Sequence, residues 1–270
     1  MPEMKQFCGQ YLQVHRRALL VCVEKQKSRA MKDTVFLDNL RCDGSFHDGC
    51  KKDCTIMWKE GWLKKVKKDE VIPADQNTDV SPVTVDFPIK QGDRYFCQSS
   101  EIQHAAFEVG IISKIFQFMK ELIYRNQKPL EFFKNTIVFV ILKLTWYKRS
   151  ISCKMIAGNM IKTPAASFAL KVGERVRVKS AEEIKKTLDA QGCNRGLSFT
   201  PDMYHFCGQE FIVKERLNKM ILENSGKMVE VYNTVLLENV VCVGRCKYSC
   251  VRNLYHFWRE IWLERVVTPV

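Results

Sequence analysis

Twelve of the 270 residues are cysteine, and eight of them stand in two groups of four. Cys8, Cys42, Cys50 and Cys54 lie near the start of the chain, and Cys207, Cys242, Cys246 and Cys250 lie near its end. Four thiolates are a common donor set of a tetrahedral structural zinc ion, and they also hold iron–sulfur clusters. Two sets of four predict two metal centres, with zinc as the first expectation and an iron–sulfur cluster as the alternative.

The groups match because the chain repeats itself. Pro2-Glu-Met-Lys-Gln-Phe7-Cys8-Gly9-Gln10 returns as Pro201-Asp-Met-Tyr-His-Phe206-Cys207-Gly208-Gln209. Thr34-Val-Phe-Leu-Asp-Asn39-Leu-Arg-Cys42-Asp-Gly44 returns as Thr234-Val-Leu-Leu-Glu-Asn239-Val-Val-Cys242-Val-Gly244. Each copy closes on a cysteine followed by two tryptophans, at Cys50, Trp58 and Trp62 and at Cys250, Trp258 and Trp262. Self-similarity of this kind marks two copies of one structural unit. Three cysteine positions coincide, while the fourth moves: Cys54 faces Leu254, and Cys246 faces Phe46. A requirement for four thiols explains why the number is kept while the position changes. Glycine two residues after Cys42 and Cys242, and directly after Cys8 and Cys207, lets the backbone turn beside a ligand.

Other readings of the same residues stay open. Cysteine packs as a small buried hydrophobe, and it forms disulfides in oxidising compartments. The N-terminus shows no charged-then-apolar signal segment, so the expected setting is the reducing cytoplasm. The Cys-x-x-Cys knuckle of many zinc sites is absent. His47, His205 and His256 stand near the two groups and are alternative ligands, although each also reads as a surface or supporting histidine.

The elements that must position these thiols are best read in the second unit. Gly173 to Val178 alternates as a strand does, and Ser180-Ala-Glu-Glu183 is a capping box that opens a helix ending by Gly192. Residues 211–213, 228–232 and 235–241 read as strands, with a turn at Asn224-Ser-Gly226. From Cys250 the spacing of four through Leu254, Trp258 and Trp262 predicts an amphipathic helix, as does Cys50, Cys54, Trp58 and Trp62 in the first unit. The first copy begins at Pro2, so the strand and capped helix of residues 173–192 have no counterpart before it. The expected organisation is a first cysteine module at 1–68, a linker with extended segments at 69–100, a helical middle region at 101–171 and a complete second module at 172–270. The apolar run at 137–142 is too short to cross a membrane, and Lys143, Lys148 and Arg149 beside it leave membrane-surface contact open.

Composition is that of a globular chain, 46% hydrophobic, with a formal net charge of +13. Such a balance favours an acidic partner, either nucleic acid or an acidic protein, without determining the fold. The densest basic runs are Lys51-Lys52, Lys64 to Lys68 and Arg175-Val-Arg-Val-Lys179, and a solvated face accounts for them equally. Phosphate loops, nucleophile elbows and His-Glu-x-x-His pairs are absent. The case for catalysis rests on Cys97, Cys153 and Cys193, with His104 near Cys97 in sequence.

Gly173 to Asp189, Pro201 to Gly208 and Phe257-Trp-Arg-Glu-Ile-Trp-Leu263, with Tyr95-Phe-Cys97-Gln98 and Lys162-Thr-Pro164, resemble an uncharacterised bacterial family with tandem cysteine-containing modules. The opening strand pattern resembles an SH3-like barrel. The chain departs from the family pattern at its shortened start and in its lysine content. The resulting expectation is an α+β protein with two copies of a small SH3-like β-barrel plus C-terminal helix, each with a four-cysteine site, joined by a mainly helical middle segment. Functionally, it is expected to be a zinc-binding tandem-module protein with a basic surface. An iron–sulfur redox or maturation protein and an accessory enzyme acting on a peptide or metabolite are the alternatives.

Overall fold

The computed structural model describes residues 1–23, 29–66, 88–110, 156–242 and 251–266, with Ser113, Phe116 and Lys120. Its strands are β1 (Val14–Arg17), β2 (Leu20–Val21), β3 (Arg29–Ala30), β4 (Thr34–Arg41), β5 (Thr55–Lys59), β6 (Lys90–Gln91), β7 (Arg94–Tyr95) and β8 (Arg175–Val178). They continue as β9 (Cys193–Asn194), β10 (Leu197–Ser198), β11 (Glu210–Arg216), β12 (Lys219–Ile221), β13 (Met228–Glu230), β14 (Thr234–Leu237), β15 (Trp258–Arg259) and β16 (Leu263–Arg265). Among the described residues helix occurs at α1 (Ile102–Ala105), α2 (Ala181–Lys185), Ser113, Phe116 and Lys120, besides 3-10 turns.

This overturns the expected architecture. The protein is mainly β, and no mainly helical middle segment is supported: residues 156–171 carry no helix, and most of 111–155 lies outside the described residues. Nor does a helix follow either cysteine group. Where helix was expected, the chain runs as β5 and β15 into the 3-10 turns Glu60–Trp62 and Glu260–Trp262. Residues four apart share one face of a helix, but an even separation also puts them on one face of a strand. The spacing of cysteine and tryptophan was therefore ambiguous, and β-branched and aromatic residues in Thr55-Ile-Met-Trp58 favour the strand.

The repeat is real in three dimensions. β1 pairs antiparallel with β4 (Val14 with Leu37, Arg16 with Phe36), and β11 pairs with β14 in the equivalent register (Val213 with Leu237, Glu215 with Leu236). Both pairs are interrupted by a bulge at the same place, between Val14 and Arg16 and between Val213 and Glu215. The offset between copies is 199 on both sides of that bulge, at Val14 and Val213 and at Arg17 and Arg216, and it becomes 200 by Thr34 and Thr234, so the extra residue of the second copy lies between Arg216 and Thr234. Asn39 and Asn239 both take left-handed backbone, as do Asp33 and Asn233. Arg17 and Glu60 form an ion pair that Arg216 and Glu260 repeat, with Nη1 and Oε1 2.8 Å apart in the second copy.

What differs is the cover. In the second module the sheet order is β15-β14-β11-β8-β16. Because β15 and β16 are joined by only a 3-10 turn yet lie at opposite ends of that order, the sheet must curl back on itself. α2, opened by the Ser180–Glu183 capping box, and Phe199 close it over Trp262, whose Nε1 donates to Thr187 Oγ1 at 3.0 Å. Among the described residues the first module has only β1-β4-β5 in its sheet. Consequently Trp62 is 63% exposed while its equivalent Trp262 is 0% exposed.

Residues 88–106, expected as linker and the start of the middle region, lie between the modules. Tyr95 N donates to Gly226 O at 2.8 Å, and the Gln98 side chain hydrogen-bonds Met57 N and O at 2.7 and 2.6 Å. Ile102 and Ala106 pack with Val21, Met31, Phe36 and Met57 of the first module and with Val251 of the second. At the centre of this junction Arg252 reaches Glu223 Oε1 at 2.6 Å and Cys22 O at 2.9 Å, and Lys52 Nζ lies 3.3 Å from the same carboxylate.

Candidate metal centre

Three chain segments converge at the end of β4. The 3-10 turn Pro2–Phe7 buries Glu3, β4 delivers Cys42, and the following loop carries His47. That loop is wound tightly around Gly44: His47 N and Gly49 N both donate to Gly44 O, at 2.9 and 3.0 Å, and Cys50 N donates to His47 O at 3.1 Å. Gly44 has φ of +74°, and a Cβ there would stand 2.0 Å from the Cys50 carbonyl oxygen, so no other residue fits.

Cys42 Sγ lies 3.1 Å from Glu3 Oε1, and His47 Nδ1 lies 3.4 Å from the same oxygen without hydrogen-bond geometry. The donor atoms of Glu3, Cys42 and His47 all fall within 4.8 Å of one another, and this is the only such group among the described residues. Glu3 is 3% exposed and His47 1%. On its other side, His47 Nε2 lies 3.2 Å from Phe96 O. A carbonyl can only accept, so in the neutral ring Nε2 carries the proton and the lone pair of Nδ1 faces the carboxylate and the sulfur. Metal-bound histidines are commonly oriented in this way, with the second nitrogen donating to a carbonyl. Glu3 Oε2 and His47 Nδ1 are buried and hydrogen-bonded to nothing. Lone pairs gathered out of water in this way are costly unless a cation lies among them. The group can therefore hold a metal ion.

The expected ligands are distributed as follows. Cys42 is in the group, and Cys54 is its cross-strand neighbour, with Cys42 N donating to Cys54 O at 2.8 Å. Cys42, Cys50, Cys54, His47 and Cys97 line one cavity at the junction. Cys50 is buried and accepts from Ile221 N at 3.4 Å. Cys8 is exposed at the end of the first 3-10 turn, outside the group, and its equivalent Cys207 is half-buried, its thiol pushed up to about 11 by burial. Cys242 Sγ lies 3.5 Å from Asp202 Oδ2. Cys246 and Cys250 lie outside the described residues. Burial raises the thiols of Cys42, Cys50, Cys54 and Cys97, and at Cys42 the neighbouring Glu3 adds to the effect. Without a cation these groups stay protonated.

Sequence reasoning placed a cysteine where Glu3 stands. The signal was present in the repeat, since Pro2-Glu3-Met4 and Pro201-Asp202-Met203 keep an acid at the matching position. Cys22 is disulfide-bonded, which an expectation of thiols in a reducing setting did not include. Cys97 is half-buried, its thiol raised by burial, while His104 is exposed, so the pair has no feature of an activated nucleophile. Cys153 lies outside the described residues. The alternating basic run of β8 is neutralised: Arg177 Nε meets Glu264 Oε1 at 2.6 Å and Arg175 meets Glu210 at 3.7 Å, while Val176 and Val178 are buried.

No family model matches the chain, and no curated protein or solved structure matches it. Among the described residues no helix is long and apolar enough to cross a membrane.

Proposed function

We propose that the protein is a zinc-stabilised tandem-module binding protein, with one ion held in the first module by Glu3, Cys42 and His47 and its fourth position filled by Cys54. The observation that carries this reading is the buried convergence of Glu3, Cys42 and His47, in which His47 Nδ1 and Glu3 Oε2 have no hydrogen-bond partner. A mixed oxygen, nitrogen and sulfur set suits zinc, which takes all three, whereas iron–sulfur clusters are held mainly by thiolates. The ion's role is structural: it ties the first turn of the chain to the β4–β5 pair and, through Phe96, to the segment between the modules.

The excess of positive charge, +13 over the chain, supports an acidic partner. With β8 neutralised, the exposed Lys64 and Lys65 beside exposed Trp62 are the better basic surface. Nucleic acid binding would weaken steeply between low and moderate salt. Binding that ignores salt would remove that class of partner.

Elemental analysis of protein purified without chelator tests the metal. Zinc bound to the wild type and lost from the first site in Cys42→Ser and His47→Gln is the expected result. Metal-free wild-type protein, or variants that retain the full content, would overturn it.

A further inference from the structure

We infer that the second module carries a metal site of the same class, formed by Asp202, Cys242 and His256. The inference extends the metal reading of the first module to a set of which the cysteine pattern selected only Cys242.

The repeat places the first two donors without further assumption. Asp202 occupies in the turn Pro201–Phe206 the place that Glu3 occupies in Pro2–Phe7, and Cys242 corresponds to Cys42. The acid meets the thiol in both copies, Glu3 Oε1 at 3.1 Å from Cys42 Sγ and Asp202 Oδ2 at 3.5 Å from Cys242 Sγ. The strand partner of each cysteine is also conserved between copies, with Cys42 N on Cys54 O and Cys242 N on Leu254 O, both at 2.8 Å.

The histidine comes from a different position. Val241 bridges Tyr255, and His256 N donates to Val240 O at 3.2 Å. This register makes Cys242 and His256 diagonal neighbours on one face of the ladder, where side chains about 7 Å apart at the backbone still reach each other. In the first module that position is Ile56, and His47 arrives from the loop instead. His256 is 8% exposed, its Nε2 is buried without a hydrogen-bond partner, and so is Asp202 Oδ1. Of the eight buried side-chain polar atoms with no partner among the described residues, four belong to these two acid–histidine pairs. Two more are the indole nitrogens of the equivalent Trp58 and Trp258. Unsatisfied buried polar atoms are few in folded proteins, so their recurrence beside the matched acid of each module, with a histidine supplied from a different position, points to a ligand common to both modules. A carboxylate, a thiol and a neutral imidazole specify a borderline divalent cation such as zinc. The second set is looser than the first, which alone has all three donors within 4.8 Å.

Stoichiometric cobalt(II) replacement of the full-length protein tests this. Cobalt bound by cysteine gives an intense thiolate-to-metal band in the near ultraviolet, which reports the ligand as well as the ion. Two equivalents are expected in the wild type, one in Cys42→Ser, and one in each of Asp202→Asn and His256→Gln, with the thiolate band halved. A second equivalent that survives both Asp202→Asn and His256→Gln overturns this site. A wild type that binds a single equivalent, lost in Cys42→Ser, also overturns it and leaves the first site standing. A single wild-type equivalent that is retained in Cys42→Ser but lost in His256→Gln sustains it and removes the first site instead. Circular dichroism of the two isosteric variants separates loss of the ion from loss of the fold.

Discussion

At the scale of single residues, the first module is organised around two positions with no spare room. His47 has one nitrogen committed to Phe96 O and the other turned to Glu3 and Cys42. Gly44 lets the loop between them close, and Gly44→Ala would force a Cβ into the Cys50 carbonyl from a left-handed backbone. We expect that substitution to cost about 2–4 kcal/mol, from strain and displaced backbone together, read as a lower denaturation midpoint in urea. An unchanged midpoint would show that the loop is not built as described. Removing metal acts at the same place. Structural zinc contributes on the order of 10 kcal/mol in small sites, comparable with the whole stability of a domain. Chelator should therefore weaken the modules and melt the first, which lacks the cover of β8 and α2, before the second, giving two transitions where the loaded protein has one. Hydrogen exchange in β4 and β5 would locate the early one.

The elements explain why two copies of one unit behave differently. β8 and α2 turn the second module into a curled, covered sheet, whereas the first module keeps three strands and leaves Trp62 in solvent. Matched substitutions measure the difference. Trp262→Ala removes a side chain packed against Phe199 and should cost about 3–5 kcal/mol. Trp62→Ala should stay under about 1 kcal/mol, because little of the ring leaves water on folding. Equal losses in thermal melts would mean that the first tryptophan is covered after all. At this scale the sequence was partly legible. The alternation in β8 and the Ser180–Glu183 capping box are local signals, and both elements are in the structure. The helix expected after each cysteine group was not there, because a spacing of four serves either periodicity and only packing chooses between them.

Over the whole molecule, the modules meet through charge as well as apolar surface. Arg252 and Lys52 share the carboxylate of Glu223 in the buried junction, with Ser99 between them. Glu223→Gln would leave two cations facing a neutral amide away from water, at a cost of about 3–5 kcal/mol. A fall of that size in urea denaturation, with far-ultraviolet circular dichroism preserved in the native state, is the expected result. A neutral outcome would mean that water reaches this junction. Lys214 pairs with Asp53 across the same boundary, and Arg41 Nη2 donates to Asn253 O at 2.9 Å, so each module binds the other through its repeat-equivalent turn.

By itself, the sequence determined that there are two related modules, where their strands correspond, and that an acid and a cysteine recur at matched places. Those are properties of residue order, and comparing the copies reads them directly. Only the tertiary structure decided which donors meet. Glu3 and Cys42 are 39 residues apart in the chain, and His47 is fixed by a carbonyl 49 residues beyond it. The repeat keeps Cys8 and Cys42 with equal fidelity, yet one ends in solvent and the other faces a carboxylate and an imidazole. A ligand set is a meeting of side chains in space, so chain order can nominate its members and leave the choice among them to packing.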